Sequence, residues 1–266
     1  SFAAARQAAV QALCPGSDVA ALLDKPNNNL AVEYCKAIIE QNVEMQPIAL
    51  PRQGADHGQA LTESSHTAFA SASALRALWA EGGAAALAPY VPDKALKLYK
   101  QAEYDGKYTD FAVMGHCELA LLRAACAGQA PFAAVRGVSE GLEHRLENAV
   151  RETASLPALL DALTTVRYPR ARMRRLAMDA ALGYTAQTPA LPPYLHLLGA
   201  RKEALSLPGE TALPLSHSLA RLARENETCA QMAAAQSRAS DLGALCRTKP
   251  EPMGGIYRQK IIFLTN

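Results

Sequence analysis

Along the first thirteen residues apolar side chains return about every fourth position. Phe2, Ala5, Ala9 and Leu13 fall near one face, a spacing that predicts an amphipathic helix. Pro15-Gly16-Ser17-Asp18 reads as a turn that opens a short second helix, and Lys25-Pro26-Asn27-Asn28-Asn29 breaks the chain again. Within 30–41, Leu30, Tyr34, Ala37 and Ile38 recur at helical intervals and predict a helix with that face inward. Residues 45–50 form a candidate strand closed by Pro51-Arg52, and 53–68 lack any period and read as a loop. A helix after Ser73 stops at Glu81-Gly82-Gly83. Beyond it helical periodicity dominates, over 92–103, 108–127, 139–152, 155–166, 169–184 and 217–247. Two short apolar runs, 194–198 and 256–264, are strand candidates.

These elements predict a mainly α chain with a partial α/β N-terminal portion. Residues 1–90 mix strand and helix, and 91–266 form a helical region. A lone strand near residue 45 cannot make a sheet. The first region is therefore expected to complete a sheet whose other strands lie in sequence outside these 266 residues. Ser1-Phe2-Ala3 runs straight into an amphipathic pattern, as though the start lay upstream.

Composition narrows the picture only a little. Half of the residues are apolar, 20% are charged and 6% are aromatic, which suits a globular protein with a helical core. A net charge of +2 implies no partner, so any nucleic-acid signal must come from clustering. Six cysteines lie far apart with no C-x-x-C pair, which indicates neither a zinc knuckle nor a disulfide scaffold. They read as small buried residues in a reducing cytosol. No apolar run approaches the length needed to span a bilayer, so no membrane partner is expected. The six histidines have no metal-ligand spacing, and no metal site is expected. His57, in the loop after Arg52, is the one nearest to the candidate chemistry.

That chemistry begins at Ser71-Ala72-Ser73-Ala74-Leu75-Arg76. Two small hydroxyls stand ahead of a helix-prone run. A helix start offers free N–H groups and a partial positive charge that suit a phosphate, and Arg76 adds a fixed cation. Ser71 or Ser73 can cap that start, and Asn27 or Asn28 can cap the helix after Pro26. Arg52 ends the candidate strand, where nucleotide sites of open α/β sheets lie. Arg167, Arg170, Arg172, Arg174 and Arg175 are five arginines in nine residues, with no acidic residue between Asp161 and Asp179. Such a cluster suits RNA phosphates. Gly137-Val138-Ser139-Glu140-Gly141 fits the G-x-S-x-G pattern of serine hydrolases. That elbow needs a strong strand before the serine. Residues 131–136 make a poor one, so Ser139 reads better as the cap of a helix beginning near Glu140.

Several motifs, taken in order, resemble one family, the bacterial tRNA(Met) cytidine acetate ligases within the HIGH-type nucleotidyltransferase superfamily. Pro26-Asn27-Asn28-Asn29-Leu30-Ala31 is similar to P-N-N-I-L-G, and Glu33 to Ile38 to E-Y-x-K-A-I. Ile48 to Arg52 resembles the family strand that ends in arginine, and Ser71 to Arg76 resembles S-A-T-x-I-R. Glu140 to Leu146 resembles E-G-L-E-x-R-I, Thr165 to Arg172 resembles T-K-R-Y-T-x-x-R, and Tyr194 to Gly199 resembles Y-L-R-V-L-G. Asn29 stands where the family has an apolar residue, Ala31 for glycine, Ser73 for threonine and His196 for arginine. The family's phosphate-binding H-x-x-H type loop and glycine-rich segment are not in these 266 residues.

The resemblance implies a Rossmann-like nucleotide domain, here its C-terminal part over 1–90, followed by a helical tRNA-binding region over 91–266. It implies a cytoplasmic enzyme that uses ATP with magnesium to activate acetate as acetyl-adenylate, and that acetylates N4 of the wobble cytidine of elongator tRNA(Met). Asn27, Asn28, Arg52, Ser71, Ser73 and Arg76 would bind ATP, and the five arginines would bind tRNA. Catalytic residues are expected in an N-terminal half not present here, so the chain alone is expected to be inactive. Two other functions are weighed beside this one, a non-catalytic RNA-binding fragment and a serine hydrolase using Ser139.

Overall fold

The computed structural model describes residues 2–16, 18–50, 70–203 and 211–264. The chain divides into two compact units, Ser1–Ala74 and Leu75–Asn266.

The first unit holds α1 (Phe2–Leu13), α2 (Val19–Leu22) and α3 (Pro26–Glu40). Ala20 and Leu23 are buried, and Arg6 donates to Glu33 at 2.7 Å, joining α1 to α3. The expected inward faces are not the buried ones. Leu13, Leu30 and Tyr34 are exposed, while Val10, Ala37 and Ile38 are half-buried. Residues 45–50 are extended but form no strand, because no other described segment offers them a hydrogen-bonded ladder. The predicted strand is thus corrected to coil. Helix α4 (Ala72–Gly82) starts in this unit and continues into the second.

The second unit is built on helices. After a 3₁₀ turn (Ala84–Leu87) come α5 (Asp93–Asp105), α6 (Phe111–Ala125), α7 (Leu142–Glu152), α8 (Leu156–Leu163) and α9 (Arg170–Ala181). Gly106 ends α5 in the left-handed conformation (φ 68°), and a Cβ there would come within 2.5 Å of the Lys249 side chain. Helix α6 begins at Asp110, whose carboxylate accepts from Ala112 N (2.8 Å) and Val113 N (3.2 Å). Ser155 caps α8 in the same way, accepting from Ala158 N. Leu122, Leu146, Val150, Leu159, Leu163 and Met173 are fully buried, so α6 to α9 share one apolar core.

Two short parallel strand pairs follow. β1 (Leu195–His196) pairs with β3 (Leu215–Ser216), and β2 (Gly199–Arg201) pairs with β4 (Ile262–Leu264) in the register Gly199 to Ile262. The long last helix predicted over 217–247 is two helices, α10 (Leu219–Leu222) and α11 (Glu227–Leu245). The break is chemical. Ser218 accepts from Arg221 N to start one helix, and Asn226 accepts from Cys229 N to start the next. Tyr194, Leu219, Leu222, Cys229 and Ala233 make a second, smaller core. The fold is mostly helical, as expected, and its few strands are parallel.

Candidate functional site

Helix α3 begins at Pro26, with Lys25 in an extended conformation as its cap, so Asn27 and Asn28 lie inside the first turn and cap nothing. Proline in the first turn requires no donor and has its φ preset. Asn28 Nδ2 donates to Leu22 O (2.8 Å), and Asn29 Nδ2 donates to Leu23 O (2.6 Å) and Lys25 O (3.3 Å). These amides satisfy carbonyls left open at the end of α2. Asn27 makes no such bond among the described residues, and its amide is exposed. Of the three, Asn27 is the one left available to a ligand.

Ser71 caps α4. Its Oγ accepts from Ala74 N at 3.2 Å and lies 2.9 Å from Ser73 Oγ, and Ser71 itself is buried. The first turn of α4 carries no acidic side chain, which leaves its partial positive charge uncompensated and suited to an anion such as a nucleotide phosphate. Further along the helix Arg76 is exposed, without an ion-pair partner among the described residues. Arg52 and His57 lie outside the described residues.

The arginine cluster divides. Arg167 pairs with Glu140, and Arg170 with Asp161, in close ion pairs. The cluster is therefore less uncompensated than its sequence implies, since both carboxylates come from other segments. All four side chains are largely exposed, so these pairs contribute little to stability. Arg172, Arg174 and Arg175 have no ion-pair partner among the described residues, and Arg174 and Arg175 face solvent. Helix α9 buries Met173, Leu176, Ala177 and Ala180, the i, i+3, i+4, i+7 stripe of a core-facing helix, and the arginines flank that stripe.

Tyr168 is the hub of this region and was not among the residues singled out from the sequence. The guanidinium of Arg172 lies 5.1 Å from its ring centre and that of Arg167 5.7 Å, while its hydroxyl donates to Glu140 Oε2 at 3.2 Å. Glu140 takes a left-handed backbone (φ 57°) and Gly141 another (φ 79°), so α7 starts at Leu142. Ser139 caps no helix, and turns precede it in place of a strand. The nucleophile-elbow pattern thus has no elbow behind it.

Beside α7 opens a groove of about 450 Å³ lined by Glu140, Arg145, Asn148, Glu152, Ala162 and Tyr168, among others. Arg145, Asn148 and Glu152 share one face of α7. Arg145 Nη2 donates to Ala162 O at 2.7 Å, but its buried Nε has no partner. The spacing of these three residues was visible in the sequence, but the opposing wall from α8 and Tyr168 was not.

Three groups titrate far from their ordinary values. Burial pushes the Glu118 carboxyl up to about 7 against the pull of Arg174, and one of its oxygens is buried without a partner. Burial also pushes the Tyr194 phenol up to about 12 and, helped by the adjacent Cys117 thiol, the Cys246 thiol up to about 11. Cys229 and Cys246 are buried as expected, whereas Cys14 and Cys35 are exposed. Among the described residues no three His, Cys, Asp or Glu side chains gather as a metal site, and no helix is long and apolar enough to cross a membrane.

A family model, HIGH Nucleotidyl Transferase, matches residues 1–254, and the chain belongs to that family. Within it, the chain is similar to the tRNA(Met) cytidine acetate ligases. It is 30% identical over 183 residues to the ligase of Listeria monocytogenes serotype 4b (strain CLIP80459), covering 68% of this chain and 45% of that relative. It is 26% identical over 204 residues to the ligase of Thermoanaerobacter sp. (strain X514), covering 75% of this chain and 49% of that one. The chain thus spans about half the length of these relatives. The crystal structure of Thermotoga maritima TmcAL in its apo form I superposes over 100% of this chain and 68% of that one, with a TM-score of 0.82 at 20% identity. The same protein bound with alpha-thio ATP gives a TM-score of 0.81.

Proposed function

We propose that this protein is an ATP-dependent ligase that activates acetate as acetyl-adenylate and acetylates N4 of the wobble cytidine of elongator tRNA(Met) in the cytoplasm. The observation that carries it is the set of arginines on α9 without carboxylate partners, in a chain of a nucleotidyltransferase family. Their charge suits a polyanion, and the ligase relatives are named for a tRNA. In this proposal residues 1–90 belong to a Rossmann-like nucleotide domain and 91–266 form the tRNA-binding region. Asn27, Asn28, Arg52, Ser71, Ser73 and Arg76 are assigned to ATP, bound with magnesium held mainly by its phosphates. The first-turn N–H groups of α4, with Arg76, would offset negative charge on the departing pyrophosphate. Arg167, Arg170, Arg172, Arg174 and Arg175 are assigned to the tRNA backbone.

The test is incubation of the protein with ATP, labelled acetate and tRNA(Met), followed by nuclease digestion and mass analysis. The expected product is N4-acetylcytidine at the wobble position, with label incorporation dependent on ATP. Salt-sensitive tRNA binding without any acetylation would favour the alternative of a non-catalytic RNA-binding module, a possibility raised by the chain's coverage of only 45% of its first relative.

A further inference from the structure

We propose that the groove beside α7 seats one unpaired cytosine of the RNA. The proposal rests on the RNA-directed reading of this protein and names the base that its surface would read. Three observations converge on it. First, the groove holds about 450 Å³, within the roughly 300–1,000 Å³ range of small-molecule sites. Second, its polar groups have hydrogen-bonding capacity to spare. Arg145 Nε is buried without a partner, and Asn148 and Glu152 make no hydrogen bond or ion pair among the described residues. Third, its far wall carries Tyr168 with two arginine guanidinium groups about its ring, the kind of flat surface on which unpaired RNA bases stack.

The order of the polar groups selects the base. Along one face of α7 run a cationic donor (Arg145), an amide (Asn148) and a carboxylate acceptor (Glu152). Cytosine presents the complement on its pairing edge, with O2 and N3 as acceptors and the N4 amine as donor. Arg145 and Asn148 donate to the first two, and Glu152 accepts from the amine. Uracil places a carbonyl oxygen where cytosine has its amine, so it would set an oxygen against Glu152. Adenine offers only the N1 acceptor and N6 amine, and it leaves Arg145 without a partner. A phosphate suits the groove poorly, because Glu140 and Glu152 both line it.

Hairpin RNAs that differ only in one loop base, cytosine or uracil, test the proposal by fluorescence anisotropy at fixed salt. The cytosine loop is expected to bind about 10-fold more tightly, in line with one good side-chain-to-base pairing. Glu152→Gln should bring that ratio close to one, because its amide can donate to the uracil oxygen. Asn148→Leu should weaken the cytosine loop and leave the uracil loop unchanged. Both residues are exposed, and neither makes a hydrogen bond or ion pair among the described residues, so thermal melts should match the parent. Equal affinity for the two loops, or a ratio that survives both substitutions, overturns the proposal. If acetylation and salt-dependent RNA binding persist while base preference is missing, the groove assignment fails alone. If no RNA binds, it fails together with the ligase function.

Discussion

Glu118 carries a carboxyl group into the apolar face between α6 and α9, where it is 1% exposed and one oxygen lacks a partner. Its pKa stands at about 7 in the folded protein against 4.5 ordinarily, with burial as the main cause. The folded state therefore keeps a proton that the unfolded state releases. The stabilising effect is complete below pH 4.5 and is lost as pH rises to about 7. At about 1.4 kcal/mol per pKa unit, the loss is on the order of 2–3 kcal/mol. Glu118→Gln should flatten that slope and leave the variant more stable than the parent at pH 8, as read by urea melts at several pH values. A variant as pH-dependent as the parent would place the titrating group elsewhere. Arg174 lowers the pKa of Glu118, so Arg174→Ala should raise it further and move the midpoint of the pH dependence upward. Neither Glu118 nor Tyr168 stood out in the sequence. A glutamate among leucines reads as solvated until packing shows that it is not.

Helix α9 shows how far periodicity carries. Its buried stripe, its start after Pro169 and its arginine-rich flanks were legible because they depend on local spacing. The partners of those arginines were not, since Glu140 and Asp161 are brought near by loops and a neighbouring helix. The same limit explains the asparagines after Pro26. Their residue type signals a cap, yet two of them fasten carbonyls of the preceding short helix, a tertiary arrangement that no propensity encodes. Arg174→Ala with Arg175→Ala removes two cations without ion pairs and leaves the core stripe intact. The log–log salt dependence of tRNA binding should flatten by roughly 1.5, at about 0.7–0.9 for each phosphate left without its arginine. Affinity and slope identical to the parent would remove α9 from the RNA footprint.

The chain's mostly helical character was legible from its alanine- and leucine-rich periodicity, and the terminal strand from its Ile-Ile-Phe-Leu run. The partner of that strand, Gly199–Arg201, has no strand signature. It is defined by register, and a Cβ at Gly199 would lie 3.1 Å from Ile262 O. Within the second unit one feature ties early sequence to late. Asp110 N donates to Cys246 O at 2.8 Å, and Thr109 bridges Arg247, so the first residues of α6 are fastened to the end of α11. Neither helix can fray at that junction without disturbing the other. Amide exchange should accordingly report matched protection at the start of α6 and the close of α11, with both released in one cooperative opening.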